Sequence, residues 1–485
     1  MSESPALGLV DWPDPPAHIH FLGICGYAVS GLALACQQLG YLVTGADEDA
    51  YPPTTTILEA AGIQFASGHS PENLRRWGAP QMVVLGNQVQ RGNPELAAAL
   101  GAGMVVVSEA EAQGRLAQGR RSAVVCGTHG KTTTTSLAVW MLDQAGLRPG
   151  FRLGATSRDF GLAVSLGDWQ RRSPFVFEGD EYTTSALDRR AKFLQWHPQV
   201  VTLLNLELDH PDLYPDLAAY IAPYRQLVAA MPPDGRLLVN RENAPALALA
   251  QEAGCRVATW GVGGDWHLAE DPLVDGDHQL LQVVGPGGAT VPMRLPIFGA
   301  HNASNALGAL ATAVELGAPL DLAAAAAATY RGVARRFEVV AEAGGVTVVD
   351  DYAHHPTKLR ATIAGARQRV GDDVQVVVVH VPHTYSRTLA LLPEYADAFR
   401  GADLVVLGPI EPARERSLAH TVSSADVARQ VVGTEVVLVE STAEAVEVVR
   451  RRVHPPAMVV CSSVRGFDGA AGRIAAALGA GEAPS

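Results

Sequence analysis

The chain has 485 residues, 48% hydrophobic and 18% charged, enough apolar material for about three domains at roughly 150 residues each and too much for a largely disordered chain. With 37 Lys+Arg against 50 Asp+Glu, the formal charge is −13, which argues against a protein that grips nucleic acid non-specifically through phosphate neutralisation. Any anionic ligand must therefore meet cations gathered locally.

Taken in chain order, Met1 to Pro16 is acidic and proline-bearing, without the basic and apolar regions of a secretory signal. No uninterrupted apolar run reaches the ~18–20 residues of a membrane span. Five cysteines (Cys25, Cys36, Cys126, Cys255, Cys461) contain no C-x-x-C, so a reducing compartment, the cytoplasm, is expected. Only three of the basic residues are lysines, Lys131, Lys192 and Lys358, and each stands beside a polar motif.

Short β-branched runs alternate with glycine-rich or helical stretches, the pattern of βα units around parallel sheets. The spacing predicts an α/β fold of three domains, at 1–116, 117–331 and 332–485. The first holds strands at His18 to Leu22, Tyr41 to Thr44, Met82 to Leu85 and Met104 to Val107, with a helix over Val29 to Gly40. Polar Ala112 to Arg121 reads as a linker. The second holds Ala123 to Cys126, Phe175 to Glu178 and Val200 to Asn205, then turn-rich Gly261 to Pro296, read as β-hairpins. It ends near an alanine-rich helix at Leu322 to Tyr330, whose run Ala323 to Ala328 reads as a surface helix. The third holds Val346 to Asp350, Val374 to His380, Leu404 to Leu407, Val436 to Val439 and Met458 to Cys461.

Chemistry-bearing residues gather where strands end. Gly23, Gly26 and Gly31 follow the first strand and Asp47 the second, a loose form of a dinucleotide turn in which Cys25 stands where G-x-G-x-x-G needs glycine. Val124–Thr134 runs from a strand through Gly127, Thr128, His129 and Gly130 to Lys131, Thr132 and Thr133. There, backbone N–H groups and a helix N-terminus can wrap phosphate oxygens, with Lys131 as a point charge and Thr132 as a hydroxyl for Mg²⁺. The loop is shorter than G-x-x-x-x-G-K-[ST], so a turn without a ligand is the competing reading. Glu178, Asp180 and Glu181 end the next strand and suit Mg²⁺, or form a solvated acidic turn. The basic cluster Arg189, Arg190, Lys192 either faces an anion or balances these acids.

His210 closes the run Asn205–His210 at a third strand end, as a metal or phosphate contact or as a structural histidine. Asn302 and Asn305 open a helix and can read a purine edge or cap it. Arg335 and Arg336 precede Asp350 and Asp351, which lead into His354, His355 and Lys358. His383 and Arg387 follow the apolar strand at 374–381.

Together GTHGKTTTT at 127–135, EGDEY at 178–182, NLELDH at 205–210, HNASNA at 301–306 and DDYAHHPTK at 350–358 resemble the Mur ligase family over nearly the whole chain. The resemblance implies a Rossmann-like N-terminal domain, a P-loop-type central ATPase domain and a Rossmann-like C-terminal domain. It implies an ATP- and Mg²⁺-dependent ligase of cell-wall peptide chemistry. In such an enzyme the carboxylate of UDP-N-acetylmuramate becomes an acyl phosphate, and an incoming amine displaces the phosphate. Gly127 to Thr133 and Arg336 would hold the triphosphate, and Thr132, Glu178, Glu181 and His210 the metal. Asn302 and Asn305 would hold adenine and Asp351 its ribose. Gly23, Gly26 and Asp47 would face the UDP group, and His354, His383 and Arg387 the acceptor; Lys131, His210 and Arg336 would act in catalysis.

Two branches of the family compete. Residues 23–63, 149–154 (PGFRLG) and 181–194 resemble the branch that adds L-alanyl-γ-D-glutamyl-meso-diaminopimelate, and that acceptor is the reading taken. HVPHTYSRTLALLPEYADAF at 380–399 and GPIEPARE at 408–415 look more like the branch that adds L-alanine, the alternative. Tyr27 and Thr183 depart from the tripeptide branch, where Thr and Asp are expected. A nicotinamide oxidoreductase would use residues 18–47 but leaves 127–132 unexplained, and a regulatory nucleotide module would use the loop without chemistry. A folate-polyglutamate ligase is a nearer rival, against which the glycine-rich first region favours a UDP-sugar.

Overall fold

The computed structural model describes residues 12–50, 54–210, 213–413 and 415–479. The start of the acidic N-terminal segment, part of the 23–63 resemblance (51–53) and Arg414 of the 408–415 motif lie outside them. The chain groups into two compact units. One comprises the described residues up to Leu206 with Ile221–Trp266 and Gly308–Ala326; the other comprises Glu207–Tyr220, His267–Leu307 and the described residues from Ala327 on.

The first unit contains two sheets. A five-stranded parallel sheet runs Gln64–Ser67, Leu42–Asp47, His18–Leu22, Met82–Leu85, Val105–Ser108. Strand order reverses beside His18–Leu22, so the crevice for a ligand opens beyond Leu22. A seven-stranded sheet runs Arg256–Trp260, Arg236–Asn240, Val200–Leu203, Ser122–Cys126, Phe175–Gly179, Gly150–Arg152, Val164–Ser165, antiparallel only at the last pair. Ser122–Cys126 and Phe175–Gly179 are buried at every position, as strands covered on both faces must be.

The second unit also contains two sheets. Antiparallel hairpins over His267–Leu295 form a four-stranded sheet, as the turn-rich sequence predicts. A six-stranded sheet runs Glu338–Ala343, Val346–Asp351, Ala457–Ser462, Gln375–His380, Leu404–Leu407, Glu435–Leu438, parallel except at its first pair.

Three expectations are corrected. The first half of the linker at Ala112–Arg121 is helix: Glu109–Leu116 is capped by Ser108, whose hydroxyl accepts from Glu111 N–H, and it buries Ala110, Ala112 and Leu116. The short polar repeat hid a narrow apolar face. The alanine run is not at the surface, since Ala323, Ala324 and Ala327 are fully buried. There the helix Leu320–Ala326 packs on Lys131–Gln144, where small side chains permit close approach. Asp47 is the last residue of its strand rather than a residue after it. Several short strands (64–67, 150–152, 164–165, 236–240, 256–260, 338–343) carried too little alternation to be read from sequence.

Candidate active site

In the first unit, Ser122–Cys126 delivers the chain into a bend that turns under Asn205. Thr128 N–H donates to Asn205 O at 2.9 Å. His129 N–H donates to Asn205 Oδ1 at 2.8 Å, and Asn205 Nδ2 returns a bond to His129 O at 3.1 Å. Asn205 thus clamps the loop; its place in the NLELDH run was the only sequence signal. Gly127 is obligatory, because with φ +133° a Cβ there would meet Asn205 O at 2.7 Å. Gly130, in the left-handed conformation, starts the helix Lys131–Gln144. The first N–H groups of that helix have no intrahelical acceptor and suit an anion.

Lys131 lies along the loop it serves. Its Nζ donates to Gly127 O (2.6 Å) and to Glu181 Oε2 (2.8 Å). Burial opposes its charge, but Glu181, Asp180 and Glu178 outweigh burial and hold the ammonium above the ordinary lysine range. Thr132 Oγ1 donates to Glu178 Oε1 at 2.7 Å, and Gly154 N–H donates to Glu178 Oε2 at 2.6 Å. A Cβ at Gly154 would sit 2.7 Å from Oε1, so the glycine admits the carboxylate. Thr132, Glu178 and Glu181 therefore supply hard oxygen donors of the kind a small divalent cation takes. Asp180, grouped in the sequence with Glu178 and Glu181 as a carboxylate suited to Mg²⁺, is instead paired with cations. Burial favours its neutral form, but Lys192 and Arg152 outweigh burial and hold its carboxyl well below the usual range.

The earlier glycine turn, also in the first unit, is occupied differently. Gly23 and Ile24 N–H groups donate to Ala46 O (2.8 and 3.2 Å), Gly26 N–H donates to Gly23 O (3.2 Å), and Cys25 N–H donates to Asp47 Oδ2 (2.7 Å). Asp47 braces the turn as well as flanking it.

In the second unit, a cluster forms around Asp209, which is 3% exposed. Arg387 Nε donates to Asp209 Oδ1 at 3.0 Å, its Nη2 reaches His210 Nδ1 at 3.0 Å, and its Nη1 reaches His383 Nδ1 at 3.2 Å. A guanidinium only donates, so both imidazoles accept at Nδ1 and carry their proton on Nε2. His354 is the opposite tautomer: its Nδ1 faces Tyr352 O at 2.8 Å, which leaves the lone pair on Nε2. Burial, then Lys358 and Arg387, push His354 well below the usual histidine range. Burial and Arg387 push His383 down to about 4. Both are neutral near pH 7. For Asp209, burial raises the carboxyl, but His210, Lys358 and Arg387 hold it well below the ordinary value. Asp209 organises the cluster, yet sequence reading passed over it in favour of its neighbour.

Other predicted residues of this unit are held locally. Asp351 accepts the N–H groups of Phe337 and Ala353, both at 2.7 Å, and burial raises its carboxyl. Arg336 lies over the Tyr352 ring at 4.5 Å. Asn302 Nδ2 donates to Phe298 O (2.8 Å), and Asn305 Nδ2 to Asn302 Oδ1 (3.2 Å).

Parallel α/β sheets, a lysine-bearing phosphate turn and a carboxylate-tipped neighbouring strand define an enzyme that handles a nucleotide triphosphate at a strand end. Models of the Mur ligase family match in succession: the catalytic domain over residues 18–121, the middle domain over 125–313 and the glutamate ligase domain over 335–465. The chain is 36% identical over 398 residues to the UDP-N-acetylmuramate–L-alanyl-γ-D-glutamyl-meso-2,6-diaminoheptandioate ligase of Escherichia coli (strain K12), covering 81% of this chain and 85% of that one. It is 37% identical over 430 residues to the UDP-N-acetylmuramate–L-alanine ligase of Roseiflexus sp. (strain RS-1), covering 84% and 88%. Among solved structures it resembles a murein peptide ligase from Psychrobacter arcticus, with TM-score 0.70 and 27% identity over 96% of this chain and 99% of that one. The chain belongs to the Mur ligase family, with that family's three-domain α/β fold, and is an ATP-dependent ligase that forms amide bonds.

Proposed function

We propose that the chain joins the carboxylate of UDP-N-acetylmuramate to the amine of L-alanyl-γ-D-glutamyl-meso-diaminopimelate in peptidoglycan recycling, working in the cytoplasm. Among the described residues no helix is long and apolar enough to cross a membrane. The observation that carries the reading is Lys131, stationed on its own loop and paired with Glu181. A carboxylate oxygen of the donor attacks the γ-phosphorus of ATP and ADP leaves. The amine then attacks the acyl carbon, and phosphate departs with the acyl oxygen. Such chemistry needs positioning and charge stabilisation rather than a protein nucleophile.

In this reading Gly127, Thr128, His129, Gly130, Lys131, Thr132 and Thr133 hold the phosphates, with Arg336 as a further cation. Asn302, Asn305 and Asp351 hold the nucleoside. Gly23, Gly26 and Asp47 face the UDP group. Thr132, Glu178 and Glu181 would be the donors for Mg²⁺, which when bound would supply neutralisation of phosphate charge; His210 would join them only on release of its Nδ1 from Arg387. His354, His383 and Arg387 would line the cleft facing the acceptor, and the lone pair on His354 Nε2 would take the amine's proton. Domain limits at 1–116, 117–331 and 332–485 accompany this assignment.

L-alanine is the second reading, supported by the Roseiflexus relative at matching identity. Phosphate release is measured with ATP, Mg²⁺ and UDP-N-acetylmuramate, offering the tripeptide and L-alanine in parallel. Release with the tripeptide is expected. Release with L-alanine alone replaces the acceptor, and release with neither overturns the reading.

A further inference from the structure

One buried cation has no part in the steps above. Lys192 is one of three lysines in a chain that otherwise uses arginine, and it is 4% exposed. Its N–H donates to Tyr182 O at 3.1 Å, which pins it beneath the acidic strand end. Its Nζ donates to Asp180 Oδ2 at 3.3 Å, and Arg152 Nη2 lies 4.0 Å from the same oxygen. Arg152, 3% exposed, is fixed in turn by a bond to Glu178 O (3.2 Å) and by Glu109 at 3.7 Å. The neighbouring Arg190 turns outward to Asp188. The basic run therefore divides, and only its lysine serves the site.

The three carboxylates are thus held by different means. Glu178 is held by a hydroxyl and an amide N–H, and Glu181 by Lys131. Asp180 is held by two buried cations that cannot leave. A nucleotide must draw Lys131 away from Glu181, which frees that carboxylate; nothing comparable frees Asp180. A compact ammonium suits a slot with one oxygen to satisfy, where a planar five-donor guanidinium does not.

We propose that Lys192 is a positioning residue that, with Arg152, keeps Asp180 committed as a counter-ion, so that the divalent cation accompanying the nucleotide is taken by Glu178 and Glu181. The proposal rests on the nucleotide reading of the 127–132 loop. The test titrates full-length protein with Mn²⁺ in the presence of a non-hydrolysable ATP analogue, following free Mn²⁺ by electron paramagnetic resonance. Lys192→Met removes a cation and leaves Asp180 to take part in binding the ion, so half-saturation is expected to move about tenfold to lower Mn²⁺. Adding Asp180→Asn to that variant should return half-saturation to about twofold of the unaltered protein. A purely space-filling lysine would give no such rescue.

An unchanged titration for Lys192→Met, or a double variant shifted as far as the single, overturns the proposal. If circular dichroism shows Lys192→Met unfolded, Asp180→Asn alone decides, since it keeps the lysine and its volume. It then leaves the Lys192 ammonium without its carboxylate beside the ion and is expected to weaken Mn²⁺ binding about threefold or more; unchanged binding overturns the proposal. Unaltered protein that binds no Mn²⁺ with the analogue overturns the nucleotide site and this proposal together. Normal binding there, with Lys192→Met unchanged, overturns only the role of Lys192.

Discussion

Two glycine turns of the first unit, Gly23–Gly26 and Gly127–Gly130, share a local plan, for each follows a parallel strand and opens a helix. They differ in what occupies the backbone donors. In the earlier turn a carboxylate, Asp47, already takes the Cys25 N–H at 2.7 Å, which places negative charge where a phosphate would otherwise sit. In the later turn the loop is clamped by the neutral amide of Asn205, and the nearest charge is the ammonium of Lys131. The backbone makes a turn available; the first charged side chain to reach it selects the ligand. In the proposed reading the earlier turn, with Asp47, would face the UDP group and the later one would hold the triphosphate of ATP.

The largest effect that sharpens this contrast is expected at Lys131. The sequence suggests an exposed cation removable without consequence for the fold, but its side chain is 15% exposed and paired with Glu181 at 2%. Lys131→Ala would strand a buried carboxylate, so Lys131→Ala/Glu181→Gln is the cleaner variant. ATP-dependent phosphate release should fall about a thousandfold or more, with the melting temperature nearer the unaltered value than that of Lys131→Ala. Retained turnover would remove the later turn from the mechanism.

Next in size is Arg387, whose fork holds Asp209, His210 and His383 together. Lys at this position keeps the charge and loses the fork, so both tautomers are released. Arg387→Lys should lower kcat about a hundredfold with little change in the KM for ATP. Steady-state kinetics at saturating ATP check this; an equal rise in ATP KM would place Arg387 on the nucleotide instead.

How much of this was legible follows from sequence distance. The 127–132 loop and the 178–181 acids are contiguous, and motif and strand-end position together exposed them. Asn205, Arg152 and Asp209 act on residues 76, 26 and 178 positions away, a relation no local pattern encodes. Strands such as Gly150–Arg152 escaped because three residues carry no readable period. The linker reading of Ala112–Arg121 failed because packing, not composition, decides whether a short alanine-bearing stretch is helix.

A smaller effect is expected at Asp47. Asp47→Ala removes the acceptor of the Cys25 N–H, at a cost of about 1 kcal/mol in stability. It should raise the KM for UDP-N-acetylmuramate about tenfold while leaving that for ATP in place. Equal changes in both would show that the two turns do not divide the ligands between them.

The smallest effect on activity, and the one that isolates the earlier turn's foundations, is at Glu95. His20 lies on the strand that feeds Gly23, and its Nε2 meets Glu95 Oε1 at 2.7 Å; His69 and Asn73 meet Oε2 at 3.1 and 3.2 Å. Burial raises the Glu95 carboxyl, but these partners outweigh burial and bring it from 4.5 down to about 2. A depressed carboxyl contributes its stability in full above the unfolded value and loses it as pH falls through the folded one. The contribution, up to about 3 kcal/mol, should therefore fade between pH 4.5 and about 2. Urea midpoints across that range should fall steeply for the unaltered protein and less steeply for Glu95→Gln, whose turnover near pH 7 should stay within about twofold. Parallel midpoint curves would mean that the histidines beneath the earlier turn do not set its acid sensitivity, and that this turn, like the later one clamped by Asn205, is held by a residue of the neighbouring strand end rather than from below.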